Sequence, residues 1–217
     1  MSKPLLVIVG AGSGVSAGVA RKFGANGFRV VLVARNQASL NQYTSELAAQ
    51  DVEAYSITAD ASDGQSLSNA FDQIKQEYGS PEVLVYNAAA IQQSTPQTLT
   101  DTELLEHFKV NVLGALTSAQ QVIPDLIEQK RGTILFTGGG LALAPSPTYT
   151  SLSIGKAGVR ALAFALAEDL NPHGIHVGTV TIAGYVSKGT FYDPDIIAER
   201  YWELHTKRDQ TEIVFAQ

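Results

Sequence analysis

Gly10, Gly12, Gly14 and Gly18 crowd into a short segment between an apolar run, Leu5 to Val9, and a stretch carrying Val15, Val19, Ala20 and Phe23 at helical spacing. Glycines turn the chain and let a ligand approach its backbone. The helix that follows would present free N–H groups at its N-terminus, where hydrogen bonds and the helix dipole hold a pyrophosphate. This spacing reads as a dinucleotide seat built from Gly10, Gly12, Ser13, Gly14 and Val15. The competing reading is a plain structural turn. A nucleoside-triphosphate loop would end in Lys followed by Ser or Thr, and this one does not, which argues against a kinase or GTPase.

Other residues with chemical potential follow later strands. Arg35 stands where an NAD protein would carry a ribose-binding acid, and no Asp or Glu occupies Leu32 to Asn36. A guanidinium there could pair with a 2′-phosphate, so NADP(H) is favoured and NAD(H) is the alternative. Asp60 could accept from an adenine amino group or cap the helix that starts near Asp63. Asn87-Ala88-Ala89-Ala90 leaves room for a ring or ribose beside the backbone. Asn111 interrupts the apolar stripe of Leu104, Phe108 and Ala115. Lys156 shares a helical face with Leu152, Val159 and Ala163. An inward ammonium is costly unless something meets its tip, such as ribose hydroxyls or a water held by Asn111; the other reading is a lysine that snorkels to solvent.

The elements that must position these residues alternate along the chain. After Leu5–Val9, strand-like runs lie at Phe28 to Ala34, Val52 to Thr58, Val83 to Tyr86, Gly132 to Thr137 and Ile175 to Ile182, with Glu212 to Phe215 as a candidate edge strand. Helical periodicity covers Ser39 to Ala49, Leu67 to Glu77, Asp101 to Gln129 and Thr148 to Leu170. Such alternation predicts an α/β fold, a parallel sheet covered by helices on both faces.

The chain has 217 residues, 45% of them hydrophobic, which suits one well-buried domain. A net charge of −6 with scattered Lys and Arg argues against nucleic acid. No cysteine is present, so disulfides, thiolate metal sites and cysteine nucleophiles are excluded. His107, His173, His176 and His205 have no metal-ligand company: His107 and His205 read as helical residues in polar surroundings, and His173 and His176 as flanking a turn. No run approaches a membrane span and no targeting segment is read at the N-terminus, so a cytoplasmic location is expected.

With the glycine turn, Asp60, Asn87-Ala88-Ala89, Asn111 and Lys156 in this order, the chain resembles the short-chain dehydrogenase/reductase family over nearly its whole length. The resemblance implies a single domain, residues 1–217, with a doubly wound parallel sheet of about seven strands, the Rossmann fold. It implies NAD(P)(H)-dependent oxidoreduction of a carbonyl or alcohol. It places the pyrophosphate on the glycine turn, adenine at Asp60 with Ala61 beside it, and Asn87, Ala88 and Ala89 along the cofactor groove. Val186 would meet the cofactor from the loop after the sixth strand, Lys156 would bind the nicotinamide ribose, and the Asn111 counterpart orders a water in a proton relay. Homodimers or homotetramers are common in the family, and the alanines at 157, 161, 163 and 165 could pack against a second copy or against the sheet.

The chain departs from the family where protons move. The family's tyrosine acid lies one helical turn before the lysine, a position held here by Leu152. Its serine would fall around Gly138-Gly139-Gly140, where no hydroxyl is present although Thr137 is adjacent. The third glycine is Ser16 in one register, and in another the segment Gly12 to Ala17 fits the glycine-rich pattern. Ala183-Gly184 replaces Pro-Gly, and Lys188 replaces a threonine. Tyr149, seven residues before Lys156 and so about 10 Å along the helix, is the leading substitute acid, ahead of Ser151, Ser153 and Tyr185. Phe191, Tyr192, Tyr201 and Trp202 suggest an aromatic lid, with helix anchoring as the other use of Trp202.

Two functions follow. One is an NADP(H)-dependent oxidoreductase with a modified proton donor acting on a small molecule. The other is a nucleotide-binding sensor or assembly protein without turnover.

Overall fold

The first apolar run forms β1 (Leu5–Val9), buried along its whole length because helices cover both of its faces. The structure, a computed structural model, describes residues 3–217. After β1 come α1 (Val15–Ala25), β2 (Arg29–Ala34), α2 (Gln37–Ala48), β3 (Ala54–Thr58), α3 (Gly64–Tyr78) and β4 (Val83–Tyr86). The second half holds α4 (Asp101–Phe108), α5 (Gly114–Gln129), β5 (Gly132–Gly139), α6 (Thr150–Leu170), β6 (Ile175–Ile182), α7 (Pro194–Lys207) and β7 (Glu212–Phe215). The strands form one sheet in the order β3-β2-β1-β4-β5-β6-β7, and every pair is parallel.

Alternation along β1 divides the core. Leu5, Val7 and Val9 point to the layer of α3, α5 and α6, while Leu6 and Ile8 point to the layer of α1, α2 and α7. With both faces covered, the strands' carboxyl ends are left to form the binding edge. Strand order reverses between β1 and β4, so the crevice opens there.

The helix expected over Asp101 to Gln129 is interrupted. A capping box at Thr100 and Glu103 starts α4, and Lys109–Leu113 then forms a π-helical turn before α5 resumes the α-helix. The Tyr86 hydroxyl donates to the Val110 carbonyl inside that turn. Asn111 sits in this widened turn, which is the kind of distortion that re-aims a side chain. At the sheet edge, Gly10 takes φ +88°, and any side chain there would collide with the Ala88 backbone. The two chain segments flanking the crevice therefore touch.

Candidate functional site

A cleft of about 690 Å³ runs across the carboxyl ends of β1, β2, β3 and β4. Gly10, Ala11, Arg35, Asp60, Ala61 and Asn87 to Ala90 are among the residues that line it. Gly14 precedes α1 without a side-chain cap, and the first turn carries no acid, so its N–H groups are free for an anion. Space beside Gly12 is open, and at Gly14 the nearest neighbour of an added side chain would be Val186 Cγ1, 4.0 Å away. Ser13 is exposed. The Val15 side chain is buried in the core, so what Val15 can offer a ligand is its backbone N–H. This cradle fits a diphosphate in both shape and polarity.

At the far end of the cleft, Arg35 is exposed, and among the described residues its guanidinium has no ion-pair partner. Asp60 faces the same space. Hydrogen bonds from the Ser62 backbone N–H (2.8 Å) and hydroxyl (2.7 Å), assisted by the charge of Arg35, hold its carboxyl below the usual carboxylate range. Capping of α3 belongs to Asp63, which leaves the outer lone pairs of Asp60 facing the cleft.

Beneath the cradle runs a buried chain of hydrogen bonds. Ser16, at the position of the family's third glycine, donates to the Gly10 carbonyl (2.8 Å) and accepts from Asn87 Nδ2 (2.7 Å). The Asn87 Oδ1 atom accepts from the Thr137 hydroxyl (2.8 Å), and the buried Tyr201 hydroxyl lies 2.6 Å from Thr137 Oγ1. Since the Thr137 proton is committed to Asn87, Tyr201 is the donor in that last bond. The chain ties α7 to the glycine turn through β5 and the end of β4.

The inward ammonium of Lys156 meets a backbone acceptor. Lys156 Nζ donates to the Thr137 carbonyl (2.7 Å), and burial lowers its pKa to about 8. Its stem lies over Gly139, where an added side chain would approach Cγ, Cδ and Cε at 3.3 to 3.4 Å. At Gly138 the hydroxyls of Thr179 and Thr181 would be met at 2.8 and 2.6 Å. The glycine run is thus what lets β5 pack against β6 and under the lysine. Asn111 uses Oδ1 to accept from the Ala90 N–H (2.8 Å), and its buried Nδ2 has no partner. Leu152 is buried.

Tyr149 departs from the expected placement on a helical face. It is the N-cap of α6, with φ −128° and ψ 48°, and so lies outside the helix. Its phenol lies near the side chains of Gln93 and Tyr185, whose polar influence holds it below the usual phenol range. An isolated bridge pairs its backbone segment with Ser94.

A comparison with known families now decides the kinship, because residues 4–192 match the short chain dehydrogenase family. The chain belongs to that family. It is 28% identical over 183 residues to short chain aldehyde dehydrogenase 1 of Euphorbia lathyris, covering 83% of this chain and 63% of that protein. It is 26% identical over 191 residues to a 3-oxoacyl-acyl-carrier-protein reductase of Staphylococcus epidermidis, covering 88% of this chain and 78% of that one. A solved metagenomic short-chain oxidoreductase in complex with NADP superposes with a TM-score of 0.88 at 28% identity, covering 99% of this chain and 97% of that one. The chain spans 51% to 65% of the length of several curated relatives that it matches.

Within this short chain dehydrogenase, the aromatic lid is only partly assembled. Tyr201 is fully buried in the core, and Trp202 packs edge-on against Phe23 and Phe28, anchoring α7. Phe191 and Tyr192 pack on Phe215 beside β7. Ile91 is exposed and lines the cleft, and Leu143 and Tyr185 are exposed apolar side chains on two other loops.

His107 and His205 also differ from expectation. His205 lies against Phe23, Phe28 and Trp202, with Nδ1 2.9 Å from the Thr133 hydroxyl. His107 is buried, lines the cleft and bonds to Ser151 and Gln92. Its position one turn before Asn111, on the same inward face, is the signal that could have singled it out. Among the described residues no group of three or more His, Asp or Glu could hold a metal, and no helix is long and apolar enough to cross a membrane.

Proposed function

We propose that this chain is an NADP(H)-dependent oxidoreductase that moves hydride between the cofactor and a small carbonyl or alcohol, with a proton donor other than the family's tyrosine. The observation that carries this reading is the uncapped, acid-free N-terminus of α1, reached through a glycine turn whose Gly10 and Ala11 line the same cleft as Arg35. Backbone amides of Gly12, Ser13, Gly14 and Val15 would hold the diphosphate, and Arg35 the 2′-phosphate. Asp60 and Ala61 would meet adenine, Asn87, Ala88 and Ala89 would wall the groove, and Val186 would close over Gly14. Lys156 would exchange the Thr137 carbonyl for ribose hydroxyls. When bound, the nicotinamide supplies or accepts the hydride. The names of the relatives, an aldehyde dehydrogenase and an oxoacyl reductase, agree with a carbonyl substrate.

With Leu152 at the acid position, the proton must come from a neighbour. Tyr149 is one candidate, because the polar influence of Gln93 and Tyr185 favours release of the phenol proton. The outward alanines of α6, beside the exposed Ile154 and Phe164, suit a second copy of the chain and hence a homodimer or homotetramer. A second reading, nucleotide binding without turnover, is favoured by one observation: Gly138, Gly139 and Gly140 stand where the family resemblance expects a catalytic hydroxyl.

Titration calorimetry with NADPH and NADH tests the cofactor assignment. Arg35→Ala is expected to weaken NADPH about 10-fold or more, the worth of a charge-assisted pair, while NADH changes less than about 2-fold. Equal losses refute the 2′-phosphate role, and uptake of neither nucleotide by folded protein refutes the whole reading. NADPH binding with no consumption across aldehydes, ketones and quinones selects the second reading.

A further inference from the structure

We infer that His107 donates the proton to the substrate oxygen while Ser151 and Ser94 neutralise its ring as that proton leaves, an assignment that rests on the oxidoreductase reading above. His107 ends α4 and lines the cleft beside Asn87 to Ala90. Its Nε2 lies 3.1 Å from Gln92 Oε1 and its Nδ1 2.8 Å from Ser151 Oγ, which is 3.0 Å from Ser94 Oγ.

The protons in this chain have one consistent direction. An amide oxygen can only accept, so Nε2 carries the hydrogen and Nδ1 presents a lone pair. The Ser151 hydroxyl must then donate to Nδ1 and accept from Ser94. The Ser94 oxygen already accepts from the Ser151 backbone N–H at 3.1 Å. Every side-chain proton therefore points from Ser94, which is half-buried, toward the cleft. Backbone bonds from Ser94 N–H to the Thr148 carbonyl (2.9 Å) and from Thr150 N–H to the Ser94 carbonyl (3.0 Å) hold the chain in register.

A hydrogen-bond chain can hand a proton to a ligand only if it ends on an open surface. This one ends on Gln92, an exposed side chain at the cleft. Its carbonyl oxygen stands where a substrate's carbonyl oxygen would accept the same hydrogen. The relay that the family resemblance implies lacks its phenol here, because position 152 is leucine.

In the reducing direction, hydride adds to the carbonyl carbon and the π pair moves to oxygen, which takes the Nε2 proton. Ser151 passes its proton to Nδ1, Ser94 passes its own to Ser151, and water returns one to Ser94. His107 ends neutral with its hydrogen on Nδ1, and one solvent proton is consumed per carbonyl reduced. Once the alcohol leaves, solvent in the cleft protonates Nε2 and the Nδ1 proton leaves through Ser151 and Ser94, so the relay carries one proton in and one out, and the net proton enters from the cleft.

Nitrogen-15 NMR of the histidine rings, assigned by the signal lost in His107→Gln, should place the resting hydrogen of His107 on Nε2. A hydrogen on Nδ1 reverses the chain and overturns the inference without any assay of activity. In steady-state kinetics His107→Gln should lower kcat about 100-fold or more, in the range of lost acid catalysis, with the KM for NADPH within about 3-fold. Ser151→Ala should lower kcat about 10-fold and turn a bowed proton inventory linear, and Ser151→Thr should restore both. If His107→Gln fails to fold, Ser94→Ala, at the outer end, must still straighten the inventory. Loss of rate in Tyr149→Phe with full rate in His107→Gln moves the role to Tyr149 and sinks only this inference. Absence of turnover in the NADPH-saturated native protein sinks the oxidoreductase reading as well.

Discussion

Replacing Thr137 by Val removes the single hydroxyl that joins Tyr201 to Asn87, and the structure gives the size of the loss. Thr137 Oγ1 donates to Asn87 Oδ1 at 2.8 Å and lies 2.6 Å from the Tyr201 hydroxyl. In Thr137→Val, the buried Tyr201 O–H and the oxygen of half-buried Asn87 lose their partner. The buried orphan costs about 1–3 kcal/mol and the half-buried one about 1 kcal/mol, so the variant should lose about 2–4 kcal/mol of stability. Tyr201→Phe removes a donor and leaves the bond from Thr137 to Asn87 intact, at about 1 kcal/mol. In the double variant only the Asn87 oxygen is orphaned, so adding Tyr201→Phe to Thr137→Val should recover about 1 kcal/mol or more. Urea unfolding followed by Trp202, the only tryptophan and one residue from Tyr201, reads this directly. The comparison holds if the slope with urea stays constant across the set. Losses that simply add, to within about 0.5 kcal/mol, would show that the two hydroxyls are energetically independent and would refute the chain of bonds under the cradle.

Acid stability should be set by two histidines before the carboxylates titrate. Burial first, then the nearby charge of Arg208, lowers His176 and His205 to about 4 each. Both lie below the unfolded value of about 6.5, so the unfolded chain takes up protons first. Their contribution is complete above about pH 6.5 and is lost as pH falls toward 4; allowing for partial solvent contact, it amounts to about 2–4 kcal/mol for the pair. A urea midpoint that stays flat from pH 6.5 to 4.5 would contradict this. Lys156→Met removes a charge whose burial lowers its pKa to about 8. The free protein should gain about 1 kcal/mol while NADPH affinity drops about 10-fold; a loss of stability would mean that the bond to Thr137 outweighs the burial of charge.

The architecture was legible because its signals are local. Unbroken apolar runs gave the buried strands to within two residues at either end, and the glycines after Val9 located the turn into α1. Where a signal depended on a partner, reading along the chain fell short. Tyr201 looked like part of a lid because an aromatic near the C-terminus carries no mark of the Thr137 hydroxyl awaiting it 64 residues away. The π-helical turn at Lys109–Leu113 has no composition of its own; it coincides with the Tyr86 hydroxyl bonding to the Val110 carbonyl. His107 read as a helical residue in polar surroundings, without partners, because Ser151 lies 44 positions away and Gln92 15.

By itself the sequence determined the doubly wound sheet and the glycine turn between β1 and α1, since each is a matter of residue type and short-range period. Only the tertiary structure decided which carbonyl meets Lys156, which hydroxyl meets His107 and which way those protons point. A polar group's partner is chosen by the meeting of separate strands and helices in space, and no periodicity along one segment encodes that meeting.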